Sequence, residues 1–461
     1  MKETVFVPAE EIERQRDYTR RIRENALRPR LYHIVTLGCQ MNVRDSETVA
    51  GMLEEMGMTC APKREQADLI LYNTCCVREN AENKAMGNVI WLKELKKKKE
   101  DLIVCVGGCM AQEPGMAERI ARECPFVDVI YGTHNLYRLP EYLFDVLDSR
   151  KKTRDIWSID GEVAEGLPVC RGKKDFAFIN VMYGCNNFCS YCIVPYVRGR
   201  ERSRSADDIL RECDEVVKSG AKEIMLLGQN VNSYGGGGAE FAKLLRRVDG
   251  TGIERIRFMT SHPKDLSDEL IECFATLKHL TPCLHLPVQA GNDEILRLMN
   301  RRYTREHYLS LVEKLRRACP DIGLTTDLIV GFPGETEEQF NDTMTLVEEV
   351  RYDSAFTFIF SPRTGTKAAQ MPDGVPYEVK SERIQRLIAL QQDITEQILL
   401  SRVGREEVLL TEGAAARREG WSCGRTARGF TVNFVGIVPA GENVRVRITS
   451  AGRNTLRGEL I

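Results

Sequence analysis

The sequence predicts an α/β protein in three parts: an N-terminal open parallel α/β sheet domain, a central partial (βα)6 barrel and a small C-terminal antiparallel β-barrel. Three observations carry this. Short apolar runs alternate with amphipathic stretches over residues 31–147, the pattern of a parallel sheet covered on both faces. A second alternation begins at Asp175 and runs through six strand-helix units, too few to close an eight-stranded barrel. After Gly404 the helices give way to short strands divided by Gly-containing turns.

With 461 residues and 43% hydrophobic content, the chain can bury several cores. No apolar run approaches the roughly 18 residues of a membrane span, and the N-terminus is charged, so the expectation is a cytoplasmic protein without a membrane partner. A net charge of −2 excludes a general pull toward nucleic acid; any such affinity is local. Sixteen cysteines scattered through so long a chain favour metal ligands and buried thiols over disulfides.

Residues 1–30, rich in Glu and Arg, read as an N-terminal extension, a surface helix or a loose segment. The first domain, 31–149, has strands expected at 31–37, 67–72, 102–106 and 127–131, and helices at 45–56, 77–99, 116–123 and 136–147. Lys96 to Lys99 close one helix where positive charge suits the dipole. Cys39, Cys75 and Cys109 each follow a strand, the edge where open α/β sheets bind ligands. Singly each reads as a buried thiol; together they suggest a three-cysteine metal centre. Cys76 rivals Cys75, which is preferred because Cys76 abuts the following helix. Cys60, Cys105 and Cys124 read as packing residues, and 150–170 as a polar linker in which Trp157 could pack between domains.

In the second domain, 171–403, strands are expected at 176–182, 223–227, 255–260, 283–286, 324–330 and 355–360, helices at 206–218, 240–248, 268–277, 306–318 and 337–349, and a closing helix at 376–402. The loop after the first strand carries Cys185, Cys189 and Cys192. Three soft thiolates this close can bind three irons of a cubane and leave the fourth open, one ligand short of a closed zinc or four-cysteine site. Zinc with a fourth ligand from elsewhere is the alternative. Gln229 follows the second strand and offers an amide oxygen to an ammonium group; Ser261-His262-Pro263, Gln289 and Gly331-Phe-Pro-Gly-Glu335 follow the next three. Glu335 could equally stabilise a helix start, and His262 and His285 read as satisfied structural histidines. Gly235 to Gly238 lacks the Lys and Ser/Thr of a phosphate-binding loop. Arg198, Arg200, Arg202 and Arg204 beside the cysteines form either a solvated turn or a basic lip suited to an anionic backbone.

Residues 404–461 hold nine Arg against six Glu, with strands expected at 407–410, 430–438 and 444–448 and with Arg417, Arg418, Arg425, Arg428, Arg445 and Arg447 on turns or outward positions. Small basic barrels commonly grip RNA; a structural cap is the alternative.

Gly38-Cys-Gln-Met-Asn42, Asn73-Thr-Cys75, the run from Tyr183-Gly-Cys-Asn-Asn-Phe-Cys-Ser-Tyr-Cys192 to Arg204, Phe332-Pro-Gly-Glu-Thr336 and Gly424-Arg-Thr-Ala-Arg428 give the chain from Leu31 onward its likeness to a known family. It resembles the radical S-adenosylmethionine (SAM) methylthiotransferases, in particular the group acting on isopentenylated adenosine of tRNA, and residues 404–461 resemble a TRAM domain. The resemblance implies two 4Fe-4S clusters. The cluster of Cys185, Cys189 and Cys192 reduces SAM to a 5′-deoxyadenosyl radical that takes the C2 hydrogen of the adenosine beside the anticodon. That of Cys39, Cys75 and Cys109 holds the sulfur that, once methylated by a second SAM, is joined to C2. Tyr191, Gln229, Gln289, Gly331 and Glu335 are implied SAM contacts. Implied partners are the tRNA anticodon stem-loop, an electron donor such as a flavodoxin or ferredoxin, and a sulfur source. Sister enzymes acting on threonylcarbamoyl-adenosine or on a ribosomal-protein aspartate would share every cysteine; the basic barrel favours RNA. A non-catalytic iron-sulfur regulator that binds RNA would leave the second barrel without a purpose.

Overall fold

Strands β1 (Leu31–Thr36), β2 (Thr59–Cys60), β3 (Leu69–Thr74), β4 (Ile103–Gly108), β5 (Val129–Tyr131) and β6 (Thr153–Asp155) form one parallel sheet in the order β2-β1-β3-β4-β5-β6. This is a computed structural model, describing residues 4–76, 79–158, 161–416 and 418–461, with side chains omitted at 79–81. Val77, the expected start of one helix, and Arg417 lie outside the described residues. Every residue of β3 and β4 is buried. Successive side chains therefore feed two cores: Ile70, Val104 and Val106 with Val89 and Ile120 in one, Leu69, Leu71 and Ile103 with Val49 and Leu143 in the other.

The linker departs from expectation, while the N-terminal extension takes one of its two expected forms, a helix. The stretch expected as a linker contributes β6, whose polar Thr-Arg-Asp sequence hides an edge strand that needs no apolar face. The N-terminal extension holds the helix Ala9–Glu24, anchored by the buried side chains of Ile22 and Gln15, the latter donating to Glu141 Oε2 at 3.2 Å. Trp157 packs edge-on against Tyr137, centroids 6.2 Å apart.

The chain divides into two compact units, Met1–Gly172 with Asn180–Phe188 and Cys192–Asp208, and Lys173–Ile179 with Cys189–Tyr191 and Ile209–Ile461. A short antiparallel pair, β8 (Met182–Tyr183) with β9 (Arg202–Ser203), belongs to the first. The second contains the six expected strands: β7 (Phe176–Asn180, its last residue in the first unit), β10 (Glu223–Leu227), β11 (Arg255–Phe258), β12 (Cys283–His285), β13 (Gly323–Val330) and β14 (Ser354–Ile359). They pair as two triplets, β11-β10-β7 and β12-β13-β14, joined by a bridge at Ile256↔Leu280. The ladder stops there because Thr281 N–H donates to Ile256 O but the next residue, Pro282, has no N–H. Thr304 and Thr336 cap the helices Arg305–Ala318 and Glu337–Val350, the latter with a full capping box. A helix absent from the sequence pattern, Asp293–Leu298, starts at the Asn292 cap.

After the helix Tyr377–Leu400 come β15 (Glu406–Ala414), β16 (Trp421–Thr426), β17 (Thr431–Val435), β18 (Asn443–Ala451) and β19 (Leu456–Leu460), closed as β15-β16-β17-β19-β18 around Leu409, Val432, Phe434, Val446 and Ile448. The expected antiparallel barrel closes through one parallel pair, β17 with β19. β16 escaped notice because its buried positions are Ser422, Gly424 and Thr426 rather than apolar residues; Ser422 Oγ is satisfied by donating to Gly436 O at 2.8 Å. This barrel docks on the N-terminal ends of β10 to β14. Arg255 donates to the carbonyls of Arg425 (2.9 Å) and Val408 (3.2 Å), Arg257 to that of Thr426 (3.0 Å), and Arg428 forms a two-pronged pair with Asp353 at 2.5 and 2.7 Å. Arg428 is thus a docking residue, not an outward arginine.

Candidate functional site

Because β1, β3 and β4 are neighbours and parallel, the turns that follow them share one sheet edge. Gly38 holds φ +130°, and a Cβ there would stand 2.7 Å from Cys75 Cβ; at Gly108, φ +95°, it would stand 2.5 Å from Asn73 Oδ1 and Thr74 O. Only glycine permits these approaches. Asn42 Nδ2 donates to Thr74 O at 2.9 Å, and Asn73 Nδ2 to Asn42 O at 2.8 Å, tying the first two turns together. Cys39 caps the helix Gln40–Glu55 and its thiol donates to Asn42 Oδ1 at 3.4 Å; Cys109 opens the helix Cys109–Gln112. Burial pushes the Cys109 thiol up to about 12, opposed by Arg198 and reinforced by Cys75 and Cys39. Cys76 is buried in the apolar core with Tyr72 and Val106, whereas Cys75 stands against the turn that carries Cys39. Cys105 and Cys124 are buried as expected, but Cys60 is exposed because β2 is an edge strand.

The second triad begins after β8. Gly184 has φ +74° and no room for a Cβ, which would fall 2.1 Å from Arg200 O, and Cys185 N–H donates to Gly199 O at 3.1 Å. Ser190 is fastened by N–H to Met299 O (3.0 Å) and by Oγ to Leu298 O (2.8 Å). Cys185 and Cys189 are buried and Cys192 partly so. Among the described residues no three His, Cys, Asp or Glu side chains gather tightly enough to hold a single metal ion. All-thiolate triads suit instead an iron-sulfur cluster, which spreads its ligands over three irons.

The expected basic lip is largely internal. Arg198 donates Nε to Cys109 Sγ (3.2 Å) and Nη2 to Asp45 (2.8 Å), Arg202 bonds the carbonyls of Arg198 and Arg200, and Arg204 grips Glu165 at 2.7 to 3.0 Å. All three are buried and Arg200 is exposed. Alternation along an extended segment cannot reveal such partners, which lie 39 to 153 residues away for Glu165 and Asp45.

In the second unit, polar atoms collect at the C-terminal ends of β10 and β11. Gln229 Oε1, Ser261 Oγ and His262 Nε2 are buried without a hydrogen-bond partner among the described residues. His262 Nδ1 accepts from Lys264 N–H at 3.2 Å, so the neutral ring carries its proton on Nε2, and burial holds its pKa far below the ordinary range. The expectation of a satisfied structural histidine fails for His262; it holds for His285, which bonds Thr325 Oγ1 at 2.9 Å. Gln289 is buried at φ +74°, its N–H on Asp327 O. Glu335 Oε2 accepts from Gly331 N–H (2.7 Å) and Arg383 (3.0 Å), while Thr336 serves as the helix cap. Burial raises the Glu335 pKa against those two donors. Tyr191 packs on an apolar cluster of Ala290, Ile329, Phe332 and Phe360. Ser261 and His262 lie on the loop expected after the third strand, but Arg301, which donates to Cys189 Sγ, carries no recognisable signal in sequence: it is buried while its neighbour Arg302 is exposed.

Residues 31–132 match the uncharacterized protein family UPF0004, residues 179–347 the radical SAM superfamily, and residues 401–461 the TRAM domain. The chain is 49% identical to a tRNA-2-methylthio-N(6)-dimethylallyladenosine synthase of Acetivibrio thermocellus, covering all of this chain and 98% of that one. It is 50% identical to the synthase of the same name from Carboxydothermus hydrogenoformans over 93% of this chain and 99% of that one. The chain belongs to this synthase family. As a family member it is a radical SAM enzyme of the tRNA methylthiotransferase class. Among solved structures, the radical SAM methyltransferase TsrM of Kitasatospora setae, with cobalamin and a [4Fe-4S] cluster bound, shares the fold at TM-score 0.55 and 15% identity, over 74% of this chain and 77% of that one.

Proposed function

We propose that the protein transfers a methylthio group to C2 of N6-dimethylallyl (isopentenyl) adenosine beside the anticodon of tRNA. The observation that carries this is the pair of cysteine triads, one in a single loop and one on three turns at one sheet edge, each one ligand short of a closed cluster, on a chain about half identical end to end to synthases named for that product. Cys185, Cys189 and Cys192 hold one 4Fe-4S cluster and Cys39, Cys75 and Cys109 the other. With SAM bound, these groups supply the 5′-deoxyadenosyl radical, the sulfur and the methyl group.

The chain's own residues bind, orient and exclude water. Gln229 Oε1, buried without a hydrogen-bond partner among the described residues, accepts from the SAM ammonium group. Tyr191 with Ala290, Ile329 and Phe332 provides an apolar seat for adenine. Glu335 anchors the Gly331 turn, whose φ of +68° and contact with Lys380 leave no room for a side chain. Gln289 presents its amide from the loop after β12. Cys75, Cys109, Cys185 and Cys189 are buried and help keep water from the reacting centre, while Cys39 is exposed. The C-terminal barrel grips the tRNA, and a flavodoxin or ferredoxin and an external sulfur source complete the partners. Among the described residues no helix is long and apolar enough to cross a membrane; we place the enzyme in the cytoplasm with its tRNA.

The test is mass spectrometry of tRNA nucleosides after anaerobic incubation of reconstituted protein with SAM, reductant and isopentenylated tRNA. A methylthio product is expected that disappears in Cys185→Ala and in Cys39→Ala. SAM cleavage without a tRNA product would move the substrate to threonylcarbamoyl-adenosine or a ribosomal-protein aspartate; no cleavage would overturn the enzymatic reading.

A further inference from the structure

Arg301 is a buried guanidinium whose hydrogen-bond partners are a carbonyl, a phenol and a cysteine sulfur. Nη2 donates to Pro287 O at 2.6 Å, Nε to Tyr303 Oη at 2.9 Å and Nη1 to Cys189 Sγ at 3.5 Å, while Tyr303 Oη donates onward to Val288 O at 2.8 Å. Among the described residues no carboxylate pairs with it. An isolated buried cation is strongly disfavoured unless an anion faces it. Arg198 is the contrast: it also donates to a cluster cysteine, Cys109, but Asp45 at 2.8 Å neutralises it.

We propose that Arg301 is the charge partner of the cluster held by Cys185, Cys189 and Cys192 and that it sets that cluster's reduction potential. The inference rests on the metal reading above. Reduction adds one electron, drawn from an external donor, to a cluster already made anionic by three thiolates. A fixed cation and an N–H···S bond at Cys189 both favour the reduced form, so the potential is raised. At Cys109 the Arg198–Asp45 pair leaves the sulfur hydrogen bond but little net field. The protein thereby biases its two clusters differently. Arg301 is a positioning residue, acting through Cys189 rather than on substrate.

The experiment is an EPR-monitored redox titration of full-length reconstituted protein with dithionite as electron donor, following the signal that changes when SAM is added, alongside iron analysis. In Arg301→Gln the SAM-responsive midpoint should fall by at least a tenfold change in the reduction equilibrium, about 59 mV for a one-electron couple. Arg301→Lys, which keeps the charge, should recover most of that shift, and Arg198→Gln should leave this signal in place. An unchanged midpoint in Arg301→Gln with full iron content overturns the proposal. Should that variant fail to take up iron, wild-type protein labelled with ¹⁵N-arginine decides: a nitrogen coupling on the SAM-responsive signal supports the contact, and its absence overturns it. A wild type with iron but no SAM-responsive signal would sink the metal reading, and this inference with it.

Discussion

Gly38 is a residue whose value lies in what it lacks. At φ +130° a side chain is strained by about 1–3 kcal/mol, and its Cβ would meet that of Cys75 at 2.7 Å. Gly38→Ala should therefore disrupt the Cys39–Cys75–Cys109 centre more than the fold: about half the iron and sulfide is lost while the SAM-responsive EPR signal persists. Cys75→Ser should give the same result and Cys76→Ser should retain full iron, because it is Cys75 that stands against the turn carrying Cys39. The opposite pattern in iron analysis would transfer the ligand to Cys76. Spacing after a strand singles out the six proposed ligand cysteines in the sequence. Their supports, Asn42, Asn73, Arg198 and Arg301, were not legible, because each acts through a contact between segments far apart in the chain.

The C-terminal barrel was readable as a small β element but not as a docked one. Arg428 spends its charge on Asp353 and Asp321, Arg425 on Glu412, and Arg445 and Arg447 on Glu406. Arg428→Ala leaves Asp353 as an uncompensated buried carboxylate, and chemical denaturation should show about 3 kcal/mol lost at neutral pH. Burial already raises the Asp353 pKa above its ordinary value, with Arg428 opposing. The folded state therefore binds the proton more tightly than the unfolded one, and stability falls as pH rises through that window. Without Arg428 the window widens, so the deficit should shrink on mild acidification; a deficit that grows would refute the assignment. On the open surface Arg418 lies over Trp421, 4.8 Å from the ring centroid. Trp421→Ala should weaken tRNA binding by about tenfold in filter binding and leave SAM cleavage unchanged.

At the scale of the second unit, the barrel docks at one end of the parallel strands while Gln229, His262 and Gly331 lie at the other. The eight residues of β13 alone span about 26 Å. On the proposed reading, a substrate gripped at one end and modified at the other is extended, as a tRNA is. Steady-state kinetics should show Trp421→Ala raising KM for full-length tRNA while a short stem-loop, too small to reach the barrel, is turned over equally by wild type and variant. Equal effects on both would place the grip elsewhere.

The sequence by itself determined the three-part architecture and the six strands of the second domain, and it singled out six cysteines that follow strands, because periodicity and the turn after a strand are local. Tertiary structure alone decided that a polar stretch forms β6, that Arg198, Arg202 and Arg204 turn inward, that Arg428 holds the barrel in place and that His262 Nε2 has no hydrogen-bond partner among the described residues. A charged side chain reads as solvated until its partner is known, and each of these arginines finds its acceptors through the fold.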